Sequence, residues 1–330
     1  MKLDKLAELL EGELFGDGDF EILSISTPQR PKENSVIFCQ SAKEAQALKG
    51  LKVALVIAQD IDFPNYIKVK DVKLALAKAL NFFYPEKHPT GISPKAHIEE
   101  GAYIGKEVYI GPFVYVGKEV VIEDGVKVYP FCYIGDGVRI GRNSILFSGV
   151  HIYPRCVIGE GVRIHSGSVI GSDGFGYHIT QEGIIKLNHV GKVLIEDFVE
   201  VGANSCIDRA LIDETLIGKG TKIDNLVQIG HNCCIGQENI LVSQVGLSGS
   251  VRTGKGVILA GQVGVADHVE IGDGAVVSAK AGVSKSLEGG KVYGGGIPAM
   301  EWSKWKRIYA YILKLPELFK EKRHGNKDSP

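Results

Sequence analysis

Nowhere in this 330-residue chain do 18 apolar residues run uninterrupted, and MKLDKLAELLEGEL at its start places Asp4, Glu8 and Glu11 where a signal peptide would need an apolar core. No stable membrane insertion is expected, and the chain reads as cytoplasmic. Cysteine is sparse and poorly spaced: the six residues, at 39, 132, 156, 206, 233 and 234, contain no C-x-x-C pair, which argues against a zinc knuckle or a disulfide framework. Net charge is also nearly absent, with 38 basic against 39 acidic residues, so a whole-chain footprint for nucleic acid is missing. What abounds is glycine, 42 residues beside an apolar fraction of 44%, a combination that excludes both disorder and collagen.

The glycines belong to a repeat. From Ile92 an aliphatic residue returns every six positions through Ile170, fourteen times in phase, and the residue four places later is small or β-branched each time. Six is the period of neither a plain strand nor a helix, so the chain must turn after each short strand. Three hexads per turn make a triangular parallel β-helix in which aliphatic residues stack inward over their copies 18 residues away. The register breaks after Ile170, resumes at Ile195 and Val201, slips again between Asp208 and Leu216, and then holds from Ile217 through Val283. Nearly thirty strands are expected, a prism about 45 Å long at roughly 4.8 Å per rung. Cys132, Cys156 and Cys233 fall on the small interior position and read as buried hydrophobes.

Three segments follow: a small α/β domain over 1–86, the β-helix over 92–288 with a loop insertion at 171–194, and a C-terminal helical extension over 297–330. In the first, the patterns predict helices at 2–11, AKEAQAL and VKLALAKALNFF, and strands at 22–26, 35–39, 53–58 and 66–70. In the last, WSKWKRIYAYILKL is expected to stop at Pro316, with a second short helix, LFKEKR, behind it. Residues 300–330 carry eight Lys or Arg against four acids.

A repeat scaffold has no use for polar residues that break its pattern, so the departures are the candidates for chemistry. His231, in QIGHNCCIG, has Asp224, Asn225 and Gln228 one hexad before it and Asn232 beside it, a polar cluster able to orient an imidazole as a base. His268, in VADHVEIG, lies two turns and one residue further on, about 10 Å along the prism and too far to share a metal ion with His231. The segment GSDGFGYH (171–178), with Phe175 and Tyr177, reads either as a phosphate-cradling nest or as a flexible loop.

These residues carry a resemblance. GSDGFGYH, VGKVLIEDFVEVGANSCIDR (190–209), IDNLVQIGHN (223–232), GQVGVADHVEIGD (261–273) and VYGGGIPAMEW (292–302) resemble the UDP-3-O-(3-hydroxyacyl)glucosamine N-acyltransferase family of lipid A synthesis, within the left-handed β-helix acyltransferases. The resemblance spans nearly the whole chain. It implies a homotrimer with sites between subunits, and transfer of an (R)-3-hydroxyacyl chain from acyl carrier protein to the 2-amino group of a UDP-sugar. It further implies His231 as general base, the Gly249 backbone N–H as oxyanion donor, and His268 as a phosphate contact or an orienting group. Asp224 and Asn225 would orient, and Gln228, Asn232, Phe175 and Tyr177 would touch substrate. No metal is implied, nor any cofactor beyond the 4'-phosphopantetheine of the carrier protein. Lys304, Lys306, Arg307 and Lys314 form a surface on which that acidic carrier could dock, or else a helical cap on the prism. The family's uridine stretch, F-x-x-N-P-x-Y, keeps Phe38 here but has Ser41 and Glu44 in place of Asn and Tyr. GAVVSAKAGVSKS (274–286) offers no bulky residue to floor an acyl groove, which leaves chain length open.

Three other readings use the same prism. A γ-class carbonic anhydrase needs a close H-x-x-x-x-H pair, which is missing. A sugar O- or N-acyltransferase using coenzyme A needs no acidic carrier, and a catalytically silent structural prism would be indifferent to His231→Ala.

Overall fold

The computed structural model describes residues 1–296 and 299–325, with side chains through Pro316. The chain divides into Met1–His88 and Pro89–Pro330.

In the first unit the strands β1 (Glu13–Phe15), β2 (Ser24–Ser26), β3 (Ser35–Phe38), β4 (Ala54–Ile57) and β5 (Tyr66–Lys68) form a sheet of order β1-β5-β4-β3-β2, antiparallel only between β1 and β5. The predicted strands and helices are present, and β1 is the strand the patterns missed, three residues being too short to show alternation. Both faces of the sheet are covered. Val36, Phe38, Ala54 and Val56 point into a core with α1 (Leu3–Leu10) and α3 (Val72–Phe83), while Ile37, Leu55 and Ile57 pack with Ala45 of α2 (Ala42–Gln46) and with Leu48. Asp71 caps α3 by accepting from the Lys73 and Leu74 amides, at 2.8 and 3.0 Å.

The second unit is a left-handed parallel β-helix whose three faces hold ten, nine and eleven strands among the described residues. Residues 18 apart pair in register, as Val116 with Ile134 and Ile122 with Ile140. The in-phase aliphatic residues form one continuous buried column, worth about 1.5–3 kcal/mol for each large side chain taken fully out of water. Where a small interior position is polar, its side chain ties rung to rung. The Ser144 hydroxyl donates to Gly159 O at 2.8 Å and accepts from Val162 N at 3.0 Å. Asn239, buried on a small interior position of the second run, does the same with Gly254 O and Val257 N. Cys132, Cys156 and Cys233 are buried there, and burial holds the Cys233 thiol up at about 12.

Both breaks in register are insertions that leave the stacking intact. In the first, Tyr177–Thr180 and Gly183–Lys186 form an antiparallel hairpin, and the helix resumes with Val157 against Leu194. The loop expected at 171–194 is thus half strand. The second insertion lengthens a turn after Cys206–Asp208, so that Cys206 pairs with Gln228.

At the C-terminus the expectation of two helices is corrected: a single helix, α4 (Trp302–Gly325), runs through Pro316. Proline removes one backbone donor, a cost a long helix can absorb without ending. Ile297 and Pro298 of the closing motif, and residues 326–330, lie outside the described residues.

Candidate active site

Four successive rungs of the ten-stranded face build the site: Cys206–Asp208, Gln228–Ile229, Gly246–Leu247 and Gly264–Val265. Their inward residues, Ile207, Ile229, Leu247 and Val265, anchor them in the core. Outward, Gln228 is followed by Gly246, Gly264 and Gly282, and a Cβ added at any of these three glycines would meet nothing within 4 Å. A bare trough therefore runs along this face. It joins an open cleft of about 790 Å³ lined by Phe175, Asp208, Gln228, His231, Gly249 and His268, among others.

His231 sits at the corner after Gln228–Ile229, half-buried, with its ring fixed by Asn232. The Asn232 amide has one possible orientation, since its Oδ1 accepts from Leu211 N at 2.9 Å while its Nδ2 donates to Ile212 O at 3.0 Å. That same Oδ1 lies 3.1 Å from His231 Nδ1, so Nδ1 must carry the proton and donate. Nε2 is left with a free lone pair, the tautomer a base requires. Asn232 adopts φ +60, a left-handed conformation that asparagine tolerates, and its own N–H donates to Thr215 Oγ1 at 2.9 Å.

The His231 ring lies directly on Gly249: a Cβ there would come within 2.8 Å of Nε2 and 2.7 Å of Cε1. Among the described residues the Gly249 N–H has no acceptor, while its carbonyl accepts from His268 N at 3.1 Å. The inserted segment closes the other side. A Cβ on Gly174 would reach 2.7 Å from His231 Cβ and one on Gly176 2.7 Å from His189 Cε1, so these two glycines of GSDGFGYH are required by close packing on histidine.

Two residues that sequence reasoning missed complete the site. His189 is buried, edge-on to His231 with ring centroids 5.4 Å apart; its Nδ1 donates to Leu187 O at 3.1 Å, and its Nε2 is buried without a hydrogen-bond partner among the described residues. Asp208 accepts from Ser172 Oγ at 3.1 Å and from Gln228 Nε2 at 2.9 Å, and burial pushes its carboxyl above the ordinary value against those two hydrogen bonds. Asp208 sits in the register slip, where period counting cannot tell an outward residue from a loop residue. His189 is buried only because the hairpin folds back.

The other candidates divide. Gln228, Asn232, Phe175, Gly249 and His268 converge on the cleft or its base, and Tyr177 stacks edge-on with Phe175 at 5.0 Å. Asp224 and Asn225 occupy a different corner, where they accept from the Ser243 and Ala203 amides at 3.0 and 2.7 Å; the orientation expected of them falls to Asn232. Phe38 is buried in the sheet core of the first unit. Ser41 caps α2 by accepting from Glu44 N, and Glu44 accepts from Gln40 N at 2.8 Å, so both side chains are engaged in a local cap. Lys304, Lys306, Arg307 and Lys314 are exposed on α4. Among the described residues, no three His, Cys, Asp or Glu side chains are grouped to hold a metal ion, and no helix is long and apolar enough to cross a membrane.

Residues 88–174 match the GMPPB C-terminal domain family. The UDP-3-O-acylglucosamine N-acyltransferase of Desulfotalea psychrophila is 45% identical over 96% of this chain and 94% of its own. The chain belongs to the UDP-3-O-acylglucosamine N-acyltransferase family. That family is one of acyltransferases, and the protein is accordingly an enzyme. The Wolinella succinogenes member is 48% identical over 144 residues, 43% of this chain and 45% of that one. Among solved structures, an Arabidopsis UDP-N-acetylglucosamine acyltransferase superposes with a TM-score of 0.57 at 25% identity, over 62% of this chain and 71% of its own.

Proposed function

We propose that this enzyme transfers an (R)-3-hydroxyacyl chain from acyl carrier protein to the 2-amino group of UDP-3-O-(3-hydroxyacyl)glucosamine, in lipid A synthesis, with His231 as general base. The observation that carries the reading is the tautomer of His231: with Nδ1–H donated to Asn232, Nε2 is free to take a proton from the amine as nitrogen attacks the thioester carbonyl. The unpartnered N–H of Gly249, against the same ring, supports its role as donor to the developing oxyanion. Collapse expels the phosphopantetheine thiolate, which takes the proton from the imidazolium. The trough along Gly246, Gly264 and Gly282 suits an extended acyl chain, and His268 at the cleft rim suits the substrate's phosphates. No cofactor is needed beyond the pantetheine that the carrier brings.

The carrier is favoured over coenzyme A by the exposed Lys304, Lys306, Arg307 and Lys314, a cationic surface suited to an acidic protein. A homotrimer fits the exposed apolar residues beside the cleft, Phe175 at 86% and, on the inserted hairpin, Ile179 at 78% exposed, and a cytoplasmic location belongs to the same reading.

The test is mass-spectrometric turnover with UDP-3-O-acylglucosamine and a panel of (R)-3-hydroxyacyl carrier proteins, beside the matching coenzyme A thioesters. Amide product from carrier-linked chains, with kcat lower by about 10² or more in His231→Ala, is expected. Equal rates from the variant would remove the base assignment, and preference for coenzyme A would remove the carrier.

A further inference from the structure

We infer that Asp208 is the residue by which the site selects an amine over a hydroxyl, an inference that rests on the N-acyl transfer proposed above. Asp208 lies on the rung next to Gln228–Ile229, one strand spacing (about 4.8 Å) from the segment that delivers His231, and it lines the same cleft. It is a half-buried carboxylate whose two described hydrogen bonds come from neutral donors, Ser172 and Gln228, and among the described residues it forms no ion pair. Asp267 lines the cleft too but is exposed, and water can satisfy it. Asp208 is thus an acceptor with spare lone pairs and a charge that no described ion pair offsets, in the same cleft as the histidine that takes the proton.

A primary amine has two N–H bonds and a hydroxyl has one O–H. When the amine nitrogen bonds to the thioester carbon, one N–H bond breaks and its proton passes to His231 Nε2; the C–S bond then breaks and the thiolate takes that proton. The second N–H survives into the amide product, and Asp208 holds it throughout. A hydroxyl would have to give its single proton to His231, leaving oxygen lone pairs facing a carboxylate. A site built around a required hydrogen-bond donor rejects an analogue that lacks it far more strongly than an apolar pocket rejects a missing methylene.

The experiment compares full-length wild type with Asp208→Asn on two acceptors, UDP-3-O-acylglucosamine and its 2-hydroxy counterpart, UDP-3-O-acylglucose, with one acyl donor. The substitution keeps the shape of the side chain but gives it an amide that can turn to donate to an oxygen. Wild type is expected to favour the amine, and Asp208→Asn to lose about tenfold to a hundredfold in kcat/KM for the amine alone, collapsing the ratio. A purely structural Asp208 would depress both acceptors equally, and an unchanged ratio overturns the inference. Calorimetric binding of the two sugars gives a second readout that needs no turnover. A preference for the amine in wild type that vanishes in Asp208→Asn supports the assignment, and no preference in wild type overturns it. Failure of wild type to form amide would instead count against the proposed reaction.

Discussion

Asn232 fixes the chemistry of its neighbour through a single oxygen. Because its amide is pinned by Leu211 and Ile212, the proton of His231 can sit only on Nδ1. Asp208 carries the opposite kind of information: a charge kept in a place that does not favour it. Burial raises its folded-state carboxyl above its unfolded value, so the folded protein binds that proton more tightly than the unfolded chain. The charge therefore costs stability above the folded-state value, and the cost fades as pH falls through that value towards the ordinary aspartate range near about 3.9. Asp208→Asn is expected to melt at higher temperature than wild type near neutral pH, with the gap closing below about pH 4. Calorimetric melting across that range checks it, and a gap independent of pH would mean that the carboxylate is not strained.

At the scale of elements, the hexad supplies the site with positions of two kinds. Inward residues hold the rungs together, and outward residues on one face shrink from Gln228 to three glycines in a row. None of Gly246, Gly264 and Gly282 has a positive φ, so the backbone does not require them and open space is their effect. Gly264→Leu is expected to leave the melting temperature nearly unchanged, since its added side chain meets nothing within 4 Å at the Cβ. It should lower kcat/KM for long acyl chains about tenfold more than for short ones, as a filled trough excludes methylenes worth about 0.8 kcal/mol each. Turnover with carrier proteins of graded chain length reads this, and equal loss at every length would place the acyl chain elsewhere.

For the molecule as a whole, the apolar surface left uncovered is the informative feature. Ile179 and Ile184 face each other across the inserted hairpin, 78% and 70% exposed, and Phe175 is bare at the cleft. Exposure on that scale beside an active site calls for a partner surface, and a second copy of the chain is the one the proposed trimer supplies. Light scattering is expected to give three chains for wild type and one for Ile179→Glu/Ile184→Glu, with activity falling together with the mass. A wild type that is monomeric and fully active would sink the shared-site proposal.

Counting along the chain is enough to read the prism, its nearly thirty strands and its interior. A period of six with in-phase aliphatic residues leaves the chain no other way to bury them, and the two phase slips were visible as places where counting failed. It also marked His231 as a candidate, because Gln228, His231 and Asn232 form a polar cluster within the regular run. What surrounds that histidine is set by the folded coil and not by the count. Asp208 and His189 are distant from it in the count: Asp208 arrives by the stacking of its rung on Gln228–Ile229, and His189 through the first insertion, while the paths of the insertions back onto the prism are set by close packing at Gly174 and by the Asn232 amide, not by any periodic pattern. Asp224 and Asn225, one hexad from His231 in sequence, end on another corner because each hexad turns the chain to a new face. Periodicity fixes which residues point inward, while contacts between rungs and insertions are non-local and exist only once the coil has formed.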